Sequence, residues 1–94
     1  MFVITLTYKV PLDLIDQHRP AHIDWLKAHF AAGRFVVSGR QNPPVGGVII
    51  ASGTRADVEA AIKDDPFNVH GLADYALTEF SASLTAPGLE RFKD

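Results

Sequence analysis

The sequence predicts a single α+β domain with a four-stranded antiparallel sheet and both helices on one face of it. Two observations lead to this fold class. Segments with hydrophobic periods of 2 and 3.6 residues follow one another in the order β-α-β-β-α-β, which is the split βαβ, or ferredoxin-like, arrangement. The length of 94 residues fits one domain, which we assign to residues 1–94.

Composition excludes several functional classes. A formal charge of −2 and a hydrophobic fraction of 47% describe an ordinary globular protein without a basic surface for nucleic acid. The lack of cysteine excludes disulfides, thiolate nucleophiles and cysteine-rich zinc sites, and fits a reducing cytoplasm. The N-terminus lacks a signal-peptide pattern, and no apolar run approaches the ~20 residues that cross a bilayer. We therefore expect a cytoplasmic protein without nucleic-acid or membrane partners.

The first part of the chain predicts a strand, a helix and a second strand. Residues 2 to 8 alternate in hydrophobicity and form the first strand. An apolar stripe at helical spacing follows and ends at Gly33, a residue type that suits the position just after a helix. The stripe consists of Ile15, Ile23, Leu26 and Phe30. Because Pro20 cannot donate a backbone hydrogen bond, we expect a short turn before it and the main helix from about Pro20 to Ala32. Residues 34 to 40 are rich in β-branched and aromatic types and form the second strand.

A third strand and a second helix follow. After a turn at residues 41 to 44, the apolar run at residues 48 to 51 fits a strand that is covered on both faces. Thr54 is a helix N-cap with Asp57 three residues later. The helix stops near Asp64, because a proline follows closely. Its buried side consists of Val58, Ala61 and Ile62.

The fourth strand covers residues 72 to 80, and residues 84 to 94 form a tail. One face of this strand carries Leu72, Ala76 and Phe80, and the other carries Tyr75 and Leu77. The first, third and fourth strands thus present apolar side chains to both sheet faces, whereas the helices cover only one. Large exposed apolar patches are rare in soluble monomers, so we expect a second copy of the chain to pack on the open face.

The four histidines are His18, His22, His29 and His70. His18 and His22 have the i, i+4 spacing of a helical metal pair. Pro20 between them disturbs that geometry, and no third ligand is evident, so we expect no metal site. Solvated positions on the helix surface are the expectation for His18 and His29.

The segment Asp64-Asp65-Pro66-Phe67 lies where the second helix gives way to the fourth strand. On its own, Asp-Pro is a common start of a turn, in which the carboxylate bonds nearby backbone amides. The chain has no nucleophile elbow, phosphate-binding glycine loop or dinucleotide fingerprint.

Several short motifs follow one another along nearly the whole chain. They are Arg19-Pro20-Ala21-His22, Leu26, Gly33-Arg34-Phe35-Val36-Val37-Ser38-Gly39, and Asp65-Pro66-Phe67 followed by Gly71. In this order and spacing they resemble the YCII-related (YciI-like) family. The sequence departs from the family in a short loop at residues 42 to 45 and in Arg40, where the family often has proline. Both departures lie at the rim of the expected cleft and bear on substrate range.

The resemblance implies a ferredoxin-like fold of the dimeric α+β barrel type and an active site built on a His-Asp pair. It assigns the pair to His22 and Asp65, with Arg19, Ser38 and Phe67 lining the cleft. A carboxylate that accepts from one ring nitrogen fixes the tautomer and leaves the other nitrogen to exchange a proton with substrate. Ser38 can donate to an oxyanion and Arg19 can hold a carboxylate; the alternatives are a strand-end hydroxyl and a solvated surface cation.

Three functions are compatible with the sequence. The first is a cofactor-free enzyme that transfers protons on a small organic acid or phenol, by isomerisation, lactone rearrangement or dehydrohalogenation, as some relatives do with aromatic-degradation intermediates. The second is a non-catalytic metabolite-binding or accessory module that holds a ligand in the same cleft. The third is a structural dimerisation domain, which predicts no cavity near His22. The expected partners are a small molecule and a second copy of the chain.

Overall fold

The sheet has four antiparallel strands in the order β2-β3-β1-β4. The computed structural model describes residues 1–94. Strand β1 (Phe2–Tyr8) lies in the middle, between β3 (Gly46–Ala51) and β4 (Ala73–Glu79). Strand β2 (Phe35–Arg40) pairs with β3 and forms one edge. The predicted ferredoxin-like fold is therefore confirmed.

Three α-helices connect the strands. They are α1 (Leu12–Ala31), α2 (Arg55–Lys63) and α3 (Pro66–Val69). The third is a single turn at the Asp-Pro-Phe motif, where the sequence predicted only a turn. A 3-10 helix at Glu90–Phe92 follows in the tail. None of the helices combines the length and the apolar character that crossing a membrane requires.

Helix α1 is longer than the sequence predicted. It runs through Pro20 without interruption, so the expectation of a separate turn before that residue was wrong. Pro20 removes the backbone hydrogen bond to the carbonyl of Asp16, at a cost of about 3 kcal/mol. Ile15 is fully buried in the first turns and contributes about 1.5 to 3 kcal/mol by its burial, which offsets that cost. The helix ends as predicted, with Gly33 just beyond it at a φ of 76°.

The core lies between the helices and one face of the sheet. Phe2, Ile4 and Leu6 of β1 are buried there, since alternate residues of a strand point to opposite faces. Trp25 of α1 donates through Nε1 to the carbonyl of Ala61 in α2 at 3.0 Å and ties the two helices together. The predicted buried side of α2 is confirmed and consists of Val58, Ala61 and Ile62.

The other face of the sheet carries no helix. Cross-strand partners share a face, and Val3, Ile50 and Val37 form one such row across β1, β3 and β2. Val48 lies in the next row, beside Thr5. We call the surface formed by Val3, Val37, Val48 and Ile50 the open face. Tyr75 and Leu77 of β4 share a face with Leu6 and Ile4 and point towards the helices.

Candidate functional site

A cavity of about 190 Å³ lies between helix α1 and the sheet, with α3 at one end. Its apolar wall includes Leu6, Ile23, Leu26 and Ile49. Four of the five residues predicted from the sequence line it: Arg19, His22, Ser38 and Phe67. The cavity contradicts the expectation for a purely structural dimerisation domain, which predicted no concavity near His22.

The ring of His22 is held from two sides. Its Nδ1 lies 2.7 Å from Oδ1 of Asp65, a residue forty-three positions later in the chain. The ring stacks on Phe67 with a centroid distance of 4.0 Å and an interplanar angle of 8°, and Trp25 lies 5.4 Å away. The side chain of His22 is 13% exposed. These contacts fix the ring orientation and leave Nε2 without a hydrogen-bond partner in the protein.

Asp65 lies behind His22 and is completely buried. As the N-cap of α3, it accepts a hydrogen bond from the backbone N–H of Phe67 at 3.1 Å. Its second oxygen accepts from the hydroxyl of Tyr75 at 2.5 Å. A buried carboxylate is costly unless it is paired and hydrogen-bonded, and these contacts together with His22 satisfy both oxygens. The turn-like backbone contact and the contact with His22 are therefore both present.

Tyr75 is a part of this site that the sequence reasoning missed. Burial raises the pKa of the Tyr75 phenol, and its hydrogen bond to Asp65 raises that pKa further. The hydroxyl therefore stays protonated and acts as a donor at neutral pH. A signal was present in the sequence, because a tyrosine on the helix-facing side of a strand needs a partner for its hydroxyl.

The ionisable side chains on the cavity wall are cationic or neutral, and no carboxylate lines the cavity. Arg40 donates from Nε to the hydroxyl of Tyr8 at 3.3 Å and from Nη2 to Asp16 at 3.0 Å. Both hydrogen bonds raise the pKa of the Arg40 guanidinium, and the bond that Arg40 donates to Tyr8 has the larger effect. Arg19 is exposed at the cavity wall. This arrangement favours a ligand with negative charge.

The other three histidines lie outside the cavity. The rings of His18 and His70 pack together at a centroid distance of 4.2 Å. Burial lowers the pKa of His29, and the nearby guanidinium of Arg34 lowers it further. Both His18 and His29 are half-buried and less solvated than expected. No group of three metal-ligating side chains is formed.

Comparison with known proteins identifies the family of the chain and a solved structure with a similar fold. The model of the YCII-related domain family matches residues 1–81. No curated protein sequence matches the chain. Among solved structures, the chain is similar to 5-chloro-2-hydroxyhydroquinone dehydrochlorinase (TftG) from Burkholderia phenoliruptrix AC1100, in complex with 2,5-dihydroxybenzoquinone. The two share 18% identity with a TM-score of 0.72 over 87% of this chain and 95% of the other, which is a likeness of fold.

Proposed function

The chain belongs to the YCII-related domain family, as its motifs predicted, and on this premise we propose that it is a small cofactor-free enzyme for proton transfer. His22 accepts and returns the proton, and Asp65 orients His22. The substrate is a small organic acid or phenol that enters the cavity. Arg19, Ser38 and Phe67 contact it there.

The observation that carries this proposal is the contact of a fully buried carboxylate with one nitrogen of a cavity-lining histidine. When Asp65 accepts from Nδ1–H, the lone pair of His22 remains on Nε2. This nitrogen faces no protein donor, so it can take a proton from a bound substrate. The positive charge that then forms on the ring is stabilised by Asp65, more strongly than in water because the pair is shielded from solvent.

The candidate reactions share this first step. The base removes a proton from a hydroxyl or from a carbon next to a carbonyl, and the electron pair moves into the substrate. In an isomerisation the proton returns to another atom, and in a dehydrohalogenation the pair expels halide. Ser38 and the cationic wall face the cavity, where they can stabilise the developing oxyanion. The fold shared with a dehydrochlorinase supports the elimination in particular.

A non-catalytic metabolite-binding module is the second candidate. The cavity and its positive lining serve binding as well as catalysis, whereas a buried carboxylate that contacts a cavity-lining histidine is typical of general acid-base sites. The enzyme converts a bound compound and the binding module does not, so a measurement of turnover separates the two candidates.

The test is proton exchange followed by ¹H NMR in D₂O, with small phenols, aromatic acids and 5-chloro-2-hydroxyhydroquinone, for which chloride release is also measured. The wild type exchanges or converts at least one compound above the uncatalysed rate. His22→Ala lowers that rate by about 100-fold to 10,000-fold while binding persists. His18→Ala, on the same helix but outside the cavity, is the matched control and retains the rate. Binding without exchange in the wild type favours the second candidate, and full activity of His22→Ala places the chemistry elsewhere.

We further propose that two copies pair through the open face. Val3, Val37, Val48 and Ile50 form an apolar surface without cover from the helices, with Val37 54% exposed. Pairing removes this surface from water. Ile50→Asp breaks the dimer or the fold, because it buries an unpaired charge, whereas Ala60→Asp on the exposed side of α2 leaves the dimer intact. Sedimentation equilibrium that gives a stable wild-type monomer at micromolar concentration contradicts the proposal.

A further inference from the structure

Arg40 at the end of β2 is held in place by two other elements of the fold. Its Nε donates to the hydroxyl of Tyr8 in β1 at 3.3 Å, and its Nη2 donates to Asp16 in α1 at 3.0 Å. The guanidinium carbon also lies 5.7 Å from the centre of the Tyr8 ring. The Arg40 side chain is 27% exposed. Its guanidinium is therefore pre-organised at the cavity wall.

Arg40 and Tyr8 each keep hydrogen-bond donors that can bind a ligand. A guanidinium has five N–H groups, and the protein accepts hydrogen bonds from only two of its nitrogens, Nε and Nη2. The Tyr8 oxygen accepts from Nε, so its own O–H remains free to donate. Arg40 and Tyr8 both line the cavity. Together they present a charged donor and a neutral donor side by side.

The positive charge of Arg40 is only partly balanced within the protein. No Asp or Glu lines the cavity, and the side chain of Asp16 is 58% exposed, so water screens its pairing with Arg40. A neutral apolar ligand would strip water from the guanidinium without replacing its hydrogen bonds, which is unfavourable. An anionic oxygen of a ligand beside the guanidinium accepts these hydrogen bonds in place of water.

The neighbouring Arg19 differs from Arg40 in this respect. It is exposed and makes no hydrogen bond or ion pair within the protein. Fixing its long side chain on a ligand costs conformational entropy that Arg40, already held by Tyr8 and Asp16, has lost on folding. Of the two arginines, Arg40 is the better placed to select a ligand.

We propose that Arg40 and Tyr8 form the recognition site for one acidic oxygen of the ligand, a carboxylate or phenolate, and so restrict the cavity to small anionic compounds with an apolar body. The inference deepens the proposed function. It rests on that function in one respect, namely that the cavity is the substrate site. The apolar wall of the cavity, with Leu6 and Leu26, receives the rest of the molecule.

The test compares benzoate with benzamide, which has nearly the same shape and no charge, by ¹H–¹⁵N NMR titration of the intact protein. The wild type binds benzoate more tightly than benzamide. Arg40→Met weakens benzoate binding by about 10-fold to 100-fold, as expected for loss of a charged hydrogen bond, and does not weaken benzamide binding. Tyr8→Phe weakens benzoate by about 2-fold to 10-fold. Arg19→Met weakens it less than Arg40→Met does.

The control is Lys27→Met, which removes a positive charge from the exposed side of α1 outside the cavity and leaves benzoate binding unchanged. If Arg40→Met unfolds, Arg40→Lys, which keeps the charge but loses the fork of donors, shows the selective loss instead. Three results overturn the inference: no preference for benzoate in the wild type, equal weakening by the Arg19 and Arg40 variants, or parallel weakening of both probes. Because the measurement is binding, it stands whether or not the protein turns over a substrate.

Discussion

Helices α2 and α3 begin with the same kind of contact in very different surroundings. At α2, Thr54 accepts a hydrogen bond from the backbone N–H of Asp57 at 3.1 Å, and Asp57 accepts from the backbone N–H of Thr54 at 3.3 Å. Both residues are exposed. At α3, Asp65 accepts from the backbone N–H of Phe67 at 3.1 Å, but Asp65 is completely buried.

The difference shows what burial adds to a helix cap. The exposed carboxylate of Asp57 has water for its remaining lone pairs, so its contacts stay within one turn. The buried carboxylate of Asp65 needs protein donors instead, and these are His22 and Tyr75, from α1 and β4. One local motif thus stabilises a helix end at α2 and, in our account, orients a proton-transfer group at α3.

The largest expected effect comes from Asp65→Asn. The amide keeps the size of the carboxylate but removes its charge, so the tautomer of His22 is no longer fixed. We expect a loss of turnover of at least about 100-fold, with the roughly 10,000-fold loss for the corresponding change in serine proteases as an upper guide. Asp57→Asn is the matched control and keeps full turnover. Equal activities of the two variants would mean that Asp65 is only a cap.

A smaller effect is expected for Tyr75→Phe. The hydroxyl holds Oδ2 of Asp65 but does not line the cavity, so its loss loosens Asp65 without touching the ligand. We expect kcat to fall by about 10-fold, in the range for residues that support an active-site group, with little change in KM. Tyr8→Phe, which removes a hydroxyl at the cavity wall, changes mainly KM. A Tyr75→Phe protein with a changed KM and an unchanged kcat would contradict this division.

Thr54→Ala affects stability alone. It removes the acceptor for the Asp57 backbone N–H and lowers the free energy of unfolding by about 1 kcal/mol, as for other N-cap residues. Urea unfolding gives this value, and turnover stays at the wild-type level. A loss of activity in this variant would show that the α2 cap is coupled to the site.

The smallest effect is a pH dependence at the same cap. Hydrogen bonds from the side chain and backbone of Thr54 hold the pKa of Asp57 below its usual value of 3.8. Asp57 therefore contributes stability that is present above the unfolded pKa and is lost as pH falls through the lowered folded pKa. Between about pH 5 and pH 2, the free energy of unfolding of Asp57→Asn should fall less than that of the wild type. If urea unfolding gives the same change in the free energy of unfolding with pH for both proteins, this prediction is contradicted.

The strands and the α2 cap could be predicted because their signals are local. The alternation at residues 2 to 8 matched β1, and the Thr54 to Asp57 spacing matched the capping box. Helix α1 could not be bounded in the same way, because burial of Ile15 against distant parts of the chain decides whether a helix continues through Pro20. Tertiary packing here overrides a local preference.

The site shows the same limit. The family motifs pointed to His22 and Asp65, but the residues around them come from other elements. The alternation of the fourth strand placed Tyr75 and Leu77 on one face, but only the register of β4 against β1 shows that this face points towards the helices and Asp65. Arg40 stood out as a departure from the family, yet its contacts with Tyr8 and Asp16 depend on the fold.

The protonation of the His22 ring is the most direct test of the central claim that Asp65 leaves Nε2 free to accept a proton. ¹⁵N NMR of the histidine rings above neutral pH, with signals assigned by the His22→Gln variant, reports which nitrogen carries the proton. We expect hydrogen on Nδ1 and a lone pair on Nε2, the tautomer that free histidine in water disfavours. The Asp65→Asn variant should lose this preference. A wild-type His22 with its proton on Nε2 and none on Nδ1 would contradict the account.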